Sequence, residues 1–355
     1  MNEKHTDIKK SAAKKQLKPH RRVDIVIYQG VSLSAALMMQ DFLNLANQLF
    51  AEVDSPMYMA QYMPFETRLV GMQPGAFSPP QSQIILQLVA PSATPDLIFV
   101  PPMWYDTGRH LAMLLAQQAG LGEWLLKQHA RGSIVASSCT GTTILAQAGL
   151  LNQTRATGCW WLANWYTRHT PQAQFCLEKL VHTENRIWTA AAGTAFFNLF
   201  LYLIEHFAGS EAAATLSRML LVIPNDAPQA AFMSRPAVSN VEDIVVAKAQ
   251  RWLSKHLAEP FDLDSLATAC AVSSRTLTRR FNQVIGLPPL TYLQHERIAK
   301  AKALLASTAA SLEQVMERVG YSDLSSFRKL FRQHTGLTPS DYRERFRARK
   351  RALRN

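Results

Sequence analysis

The sequence predicts two regions of different fold class, a doubly wound and mostly parallel α/β sheet followed by an all-α domain. In residues 22–222, short apolar runs typical of buried strands alternate with stretches in which apolar residues recur at helical spacing. From residue 241 onward every apolar pattern has helical spacing, and Gly and Pro fall between the helices. Strands separated by helices favour a parallel sheet, because the crossover helices cover its faces.

The strands and helices of the first region follow one another in a regular order. The predicted strands are 23–28, 97–100 and 133–138, and the predicted helices are 35–49, 111–126, 143–150 and 196–204. The second helix is expected to break near Gly120 and Gly122, since glycine destabilises a helix interior. The last helix is strongly apolar but too short to span a bilayer, which predicts a buried helix.

Charge divides the chain in the same way. Residues 1–22 hold eight Lys and Arg against two acidic residues, residues 241–355 hold twenty against eleven, and the part between them holds ten against thirteen. Two basic ends around a slightly acidic middle predict a nucleic-acid-binding end joined to a domain with another task. The predicted organisation is a basic disordered arm at 1–21, a domain at 22–222, a Pro-rich linker at 223–240, a second domain at 241–347 and a basic tail at 348–355.

The cysteines indicate neither a metal site nor a disulfide framework. Cys139, Cys159, Cys176 and Cys270 are widely spaced and form no Cys-x-x-Cys pair. No zinc cluster is therefore predicted, and no other metal or cofactor. The N-terminus is rich in lysine but lacks the apolar stretch of a signal peptide, which predicts a cytoplasmic protein.

The all-α region contains an internal repeat. Five residues of the first copy recur 50 positions later: Leu277, Phe281, Gly286, Pro289 and Tyr292 match Phe327, Phe331, Gly336, Pro339 and Tyr342. Three residues upstream recur at an offset of 49: Leu266, Cys270 and Val272 match Val315, Val319 and Tyr321. A duplicated helix-turn-helix explains both offsets, with one extra residue in the turn of the second copy.

One helix in each copy has an apolar face and a polar face. The outward residues are Arg275, Thr278, Arg279 and Asn282 in the first helix, and Ser325, Arg328, Lys329 and Arg332 in the second. Arg and Lys donate to guanine O6 and N7, and Ser, Thr and Asn make further contacts to base edges or phosphates. These faces predict DNA recognition, and the alternative interpretation is a solvated set of helix charges.

This region resembles the arabinose-regulator (AraC/XylS) family of transcription regulators. The resemblance rests on residues 271–281 (AVSSRTLTRRF) and 336–343 (GLTPSDYR), with Arg297 and Ala301 between them. It implies two three-helix halves joined by a long helix at about 290–306, and recognition helices in major grooves about 34 Å apart. The base-contacting positions of the family fall on Arg275, Thr278, Arg279, Ser325, Ser326 and Lys329. Met316 departs from the family, which has a small residue there.

A second pattern places Cys139 on a tight turn between a strand and a helix, within residues 131–152 (RGSIVASSCTGTTILAQAGLLN). This is the arrangement of a nucleophile elbow, and a position near a helix N-terminus favours the thiolate. The pattern resembles the flavodoxin-like, class I glutamine-amidotransferase-like domain of the PfpI type, with support from residues 156–160 (ATGCW) and 188–193 (WTAAAG). Together the two resemblances identify a GlxA-type regulator of the AraC/XylS family.

The departures from the PfpI pattern concern the catalytic residues. Thr140 stands where hydrolases of this superfamily have a His, Ala35 stands where they have an early carboxylate, and Cys159 replaces a further His. The loop whose glycine amides form an oxyanion hole reads Pro101-Pro102, and proline has no N–H to donate. A nucleophile without a base, an orienting acid or oxyanion donors is not expected to turn over, so the first domain is predicted not to be an enzyme.

A ligand pocket is predicted instead at the carboxyl ends of the strands, the usual ligand position in doubly wound sheets. Its predicted residues are Cys139, Thr140, Trp104 and Trp160. For Cys139, an inert core position and a redox sensor remain open. For the tryptophans, core or interface packing and an aromatic cage for a cationic ligand remain open.

The predicted function is sequence-specific regulation of transcription. The predicted partners are double-stranded promoter DNA, RNA polymerase, an unidentified small-molecule effector, and a second copy of the chain in a homodimer. Two alternatives come from other classes of protein. One is a thiol hydrolase or amidotransferase with a DNA-binding appendage, and the other is an architectural DNA binder that needs no ligand.

Overall fold

The computed structural model describes residues 20–52, 54–79, 83–222, 229–232 and 243–352, with side chains described as far as residue 347. Most of the predicted arm at 1–21, most of the predicted linker at 223–240, and the side chains of the predicted tail at 348–355 lie outside the described residues. Within the described ranges, no helix combines the length and the apolar character needed to cross a lipid bilayer.

Strands and helices alternate in the first domain. Its strands are β1 (Arg21–Val26), β2 (Phe65–Val70), β3 (Gly75–Phe77), β4 (Leu86–Leu88), β5 (Leu97–Val100), β6 (Ile134–Ser138), β7 (Arg155–Ala156), β8 (Gln174–Phe175), β9 (Val181–Glu184) and β10 (Ile187–Ala190). Its helices are α1 (Leu33–Phe50), α2 (Gly108–Ala116), α3 (Ala119–Ala130), α4 (Thr142–Gln147), α5 (Ala163–His169), α6 (Ala195–Ala208) and α7 (Ser210–Met219).

Six of these strands form the central sheet, in the order β2-β1-β5-β6-β10-β9. All neighbours in it are parallel except β10 and β9, which pair antiparallel at one edge. This arrangement confirms the predicted flavodoxin-like, mostly parallel fold. The three strands that the sequence predicted, β1, β5 and β6, lie side by side in the sheet. Central strands such as β5 and β6 are buried along their whole length, which is why their sequences indicate strands most clearly.

The predicted break in the helix at 111–126 is in the wrong place. The chain forms two helices, α2 and α3, and the interruption falls at Gln117 and Gln118. Gly120 and Gly122 lie inside α3. At Gly122 the absence of a side chain serves packing, since a Cβ there would lie 3.0 Å from the Cβ of Ala148 beside α4. Close approach between helices, rather than a turn, accounts for this glycine.

The second domain is helical throughout its described residues, and one more helix precedes it. A short helix, α8 (Gln229–Phe232), lies inside the segment 223–240, which stays a predicted linker. The helices that follow are α9 (Ile244–Lys255), α10 (Leu263–Ala269), α11 (Ser274–Ile285), α12 (Pro289–Ser307), α13 (Leu312–Arg318), α14 (Leu324–Thr335) and α15 (Pro339–Ala352). The predicted joining helix at 290–306 is α12, about 28 Å long at the rise of an α-helix.

The repeat in the sequence appears as a repeat in the structure. Helices α11 and α14 have 12 residues each, and the turn before α14 is one residue longer than the turn before α11. Both helices end at a glycine in the left-handed conformation, Gly286 and Gly336. The two cores contain matching edge-to-face ring pairs, Phe281–Tyr292 at 5.3 Å and Phe331–Tyr342 at 5.5 Å. Met316 is buried in this core.

Candidate ligand pocket and DNA-reading faces

Cys139 occupies a strained turn directly after β6. Its φ is +53°, an uncommon value for a residue with a side chain, and residues 139–141 form a single 3-10 turn that leads into α4. Gly141 permits this turn, because a Cβ there would collide with the carbonyl oxygens of Pro101 and Val100. The predicted elbow is thus produced by a close crossing of the chain after β6 over the end of β5.

Thr140, which stands where related hydrolases have a His, holds the neighbouring loop in place. Its hydroxyl accepts a hydrogen bond from the backbone N–H of Met103 and donates one to the Met103 carbonyl, both at 2.8 Å. The side chain is buried, and its one O–H donor is used by the Met103 carbonyl. Thr140 therefore fixes the loop that follows β5, and it has no basic atom that would accept a proton from Cys139.

The thiol of Cys139 is surrounded by hydrogen-bond donors. A hydrogen bond from the Cys159 thiol is the main cause that lowers the pKa of Cys139 from 9.0 to about 7. The backbone N–H groups of Thr140 and Gly193 lower this pKa further, while burial opposes them. Burial raises the pKa of Cys159, which therefore stays protonated and donates. The hydroxyl of Tyr166 lies 3.7 Å from the Cys159 sulfur.

We expect alkylation of Cys139 by iodoacetamide to rise with pH through a midpoint of about 7, because the thiolate is the reactive form. In Cys159→Ala the donated hydrogen bond is lost, so the pKa of Cys139 rises and alkylation at neutral pH slows several-fold. The measurement uses a Cys176→Ala background, since Cys176 is a second partly exposed thiol. An unchanged midpoint in Cys159→Ala would contradict this interpretation of the pair.

A cavity of about 650 Å³ opens beside Cys139. We call it the Cys139 cavity, and its lining residues are Ser32, Ser34, Ala35, Met38, Pro102, Met103, Trp104, Tyr105, Asp106, Cys139, Thr140, Trp161, Gly193, Thr194, Phe196 and Phe197. Trp104 is 72% exposed and Trp161 is 42% exposed, so two indole rings stand partly free in its wall. The Trp161 ring N–H donates to the Tyr105 hydroxyl at 3.0 Å.

The structure brings three of the four predicted pocket residues together. Cys139, Thr140 and Trp104 line the cavity. The predicted Trp160 is not among the lining residues: its neighbour Trp161 takes that place, and the two rings meet edge to face at 5.6 Å. Sequence analysis did not predict that Phe196 and Phe197 line the cavity. For Phe196 the apolar run at the start of α6 was a signal, but it predicted burial and not a cavity.

Few of the residues that line this cavity carry a titratable side chain. Among the lining residues that the structure describes, Asp106 is the one carboxylate, and it pairs with His110 at 2.8 Å. Ala35 and Pro102, which stand at catalytic positions of the hydrolases, form part of the wall. The Tyr28 hydroxyl donates to the Pro101 carbonyl. The surface around the thiol is therefore mainly apolar and aromatic, a lining suited to holding a small molecule.

Helix α11 presents the first predicted recognition face. Leu277, Phe281 and Ile285 are buried against the core of the second domain. On the opposite side Arg275, Arg279 and Asn282 are exposed and Thr278 is half-buried. Arg280 is turned away, because its guanidinium pairs with Asp243, the N-cap of α9, at 2.8 Å.

Helix α14 presents the equivalent face 50 residues later. Phe327, Phe331 and Thr335 are buried, and the predicted residues Ser325, Ser326, Arg328, Lys329 and Arg332 are all exposed. Its N-cap Asp323 accepts a hydrogen bond from the Ser326 N–H at 2.7 Å, which fixes the start of the helix. Two exposed basic faces of equal length therefore lie at matching positions of the two copies.

Sequence analysis did not predict that two cations of the joining helix α12, Arg297 and Lys302, are buried. The Arg297 guanidinium donates to the carbonyls of Leu257 and Glu259, at 2.7 and 2.5 Å, and lies over the Tyr321 ring. Arg297 thereby ties the first copy to the turn of the second. Lys302 donates to the Ala230 carbonyl at 3.1 Å, and burial lowers its pKa to about 8.

Comparisons with known proteins agree with this division of the chain. The model of a helix-turn-helix domain matches residues 266–345, and that of the DJ-1/PfpI family matches residues 86–206. The regulator CdhR of Pseudomonas aeruginosa is 30% identical over 234 residues, which are 65% of this chain and 68% of CdhR. The regulator GbdR of the same species is 28% identical over 227 residues, which are 62% of this chain and 60% of GbdR.

Solved structures are similar to part of the chain. An AraC family transcriptional regulator from Pseudomonas putida matches with a TM-score of 0.41 and 19% identity, covering 57% of this chain and all of that chain. The sequence match to GbdR spans about three fifths of the length of that regulator. With its two family matches and its likeness to CdhR, the chain belongs to the AraC-type helix-turn-helix regulators that carry a DJ-1/PfpI domain.

Proposed function

We propose that the protein is a sequence-specific DNA-binding transcription regulator controlled by a small metabolite in the Cys139 cavity. The observation that carries the proposal is the pair of exposed basic faces on α11 and α14, repeated at 50 residues on equivalent cores. In this proposal the domain at 22–222 senses the metabolite and the domain at 241–347 binds promoter DNA. The proposal extends to RNA polymerase at the promoter and to a homodimer as the working form.

The DNA contacts of the proposal are divided by chemistry. Arg275, Arg279, Thr278, Asn282, Ser325, Ser326, Arg328 and Lys329 are assigned to base edges or nearby phosphates, and Arg332, near the end of α14, is assigned to phosphate. The test is selection of duplexes from random DNA with the full chain. Enrichment of paired half-sites about one helical turn apart supports the proposal. If the chain retains DNA but the retained duplexes share no sequence, the protein is an architectural DNA binder without sequence specificity.

A thiol hydrolase is the second candidate, because the Cys139 pKa of about 7 leaves part of the thiol ionised at neutral pH. We propose that the domain is nevertheless inactive. Cys159 donates to the sulfur instead of removing its proton, and Thr140 holds a loop. We expect no turnover of peptides, esters or glutamine. Turnover that is present in the full chain and disappears in Cys139→Ala would establish the enzyme instead.

We expect a small polar metabolite found by thermal-shift screening to raise the melting temperature, since a ligand of the native state stabilises it by mass action. In Cys139→Trp the larger side chain occupies the cavity, so the shift should disappear. DNA binding by the isolated fragment from residue 241 onward should be unchanged, because that fragment contains α11 and α14 and not the cavity. If Cys139→Trp binds the metabolite with unchanged affinity in calorimetry, the ligand site is elsewhere.

A further inference from the structure

The short helix α8 has one end in each domain. Gln229 is buried, and its side-chain amide N–H groups donate to the carbonyls of Gly158 and Leu177, at 3.1 and 2.5 Å. Its amide oxygen accepts from the backbone N–H of Ala192 at 3.5 Å, and its own backbone N–H donates to the Glu178 carbonyl at 2.6 Å. One side chain thus satisfies polar groups from three loops of the first domain.

Two of those loops contact the thiol of the Cys139 cavity. Gly158 directly precedes Cys159, which donates a hydrogen bond to the Cys139 sulfur. Ala192 directly precedes Gly193, whose N–H also reaches the sulfur and which lines the cavity. Any movement of these loops around an occupant of the cavity therefore changes the hydrogen bonds of Gln229.

The following residues of α8 belong to the core of the second domain. Ala231 is fully buried there. The Ala230 carbonyl accepts from Lys302 of α12, and the Phe232 ring meets Phe346 of α15 edge to face at 5.1 Å. Helix α8 also contacts α14, which carries the second basic face. The same four residues therefore contact loops that adjoin the cavity in the first domain and helix α14 in the second.

A second contact between the domains begins at the cavity as well. Trp161 lines the cavity and leads into α5, where the Arg168 guanidinium donates to the Val284 carbonyl at 3.1 Å. Val284 lies in the last turn of α11. Helix α11 is thus contacted from the first domain by α5, which follows the cavity residue Trp161, and α14 is contacted by α8.

We propose that helix α8 couples occupancy of the Cys139 cavity to DNA affinity, with Gln229 as the positioning residue. An occupant that moves the loop at Gly158 or at Gly193 alters the bonds of Gln229 and shifts α8 against α14. This changes the spacing of the two basic faces, on which binding to two half-sites depends. By linkage, DNA on the second domain changes the affinity of the cavity by the same factor. The inference rests on the proposed function and adds the route of its regulation.

The test uses a covalent occupant, because the natural one is unidentified. The full chain with Cys176→Ala is alkylated at Cys139 by N-ethylmaleimide, since Cys159 and Cys270 are buried. The Kd for the duplex recovered by selection is measured before and after alkylation. We expect a change of about fivefold or more, within the usual range of allosteric coupling. In Gln229→Leu, which removes the side-chain hydrogen bonds, the ratio of the two Kd values should fall to about one.

Two further variants make the outcome decisive. Phe232→Ala cuts the contact with α15 and leaves the bonds of Gln229 intact, so it should also abolish the coupling, and it decides the question if Gln229→Leu does not fold. Gln147→Ala, an exposed glutamine at the end of α4, is the matched control and should retain the full ratio. If alkylation changes the Kd by the same factor in wild type, Gln229→Leu and Phe232→Ala, the coupling through α8 is contradicted. The proposed function is not contradicted by that result. A ratio of one in wild type also contradicts the coupling, whereas failure to select any duplex overturns the proposed function itself.

Discussion

The affinity of the full chain for its selected duplex is expected to fall about a thousandfold or more between 50 and 200 mM salt. A protein that neutralises six to ten phosphates loses about 10³–10⁵ in affinity over that range, because each contact releases condensed counterions. The exposed cations of α11 and α14 are expected to supply such contacts, together with other exposed Lys and Arg among the twenty of residues 241–355. The measurement is a series of Kd values by fluorescence anisotropy, plotted as log K against log salt.

The control for this prediction separates phosphate contacts from base contacts. Arg332 is exposed near the end of α14, so Arg332→Ala should weaken all sequences nearly equally and reduce the salt slope by about one unit. Arg280→Ala should leave the slope close to that of wild type, because Arg280 pairs with Asp243. A flat salt dependence of the wild-type chain would contradict DNA binding by these faces.

Arg279→Ala is expected to remove base preference at one or two positions of a single half-site. A bidentate contact between an arginine and a guanine discriminates against the wrong base by about 1–3 kcal/mol. Arg279 is exposed on α11, one helical turn after Arg275, and its position is repeated by Lys329 on α14. Because each face reads its own groove, the preferences of the other half-site should persist.

The measurement is parallel selection from random DNA with wild type, Arg279→Ala and Lys329→Ala. The two variants should relax different half-sites, whereas Arg280→Ala, next in the chain but paired with Asp243, should relax neither. If Arg279→Ala alters both half-sites equally, or leaves every base preference unchanged, the two helices do not read separate half-sites.

The double helix-turn-helix could be predicted from sequence because its signals are local. The buried face of a helix repeats within three or four residues, so Leu277 and Phe281 indicate the orientation of α11 without knowledge of the rest of the fold. The offsets of 50 and 49 predicted both the equal helices and the longer second turn. Arg297 and Lys302 could not be placed in this way, since their burial depends on carbonyls about 40 and 72 residues away.

Fewer features of the first domain could be predicted, because more of them depend on contacts between residues distant in the chain. Strand β5 was found because it is a continuous apolar run, and β6 because its apolar residues 134–136 lead into a sharp turn. In β10 (Ile187–Ala190) Thr189 interrupts the apolar residues, so no such run indicates the strand. The elbow at Cys139 could be recognised because a strand, a turn and a helix follow one another in the chain. The hydrogen bond from Cys159 to Cys139 could not, because it joins two loops 20 residues apart.

The sequence by itself determined the fold class, the two outward faces of the helix-turn-helix domain and the elbow of the first domain. The tertiary structure alone decided that Trp161, not Trp160, lines the cavity, and that four residues of the predicted linker form a helix that contacts both domains. The physical reason is common to both. Periodicity records which face of an element is buried, whereas the partner on that face is set by packing between segments distant in the chain.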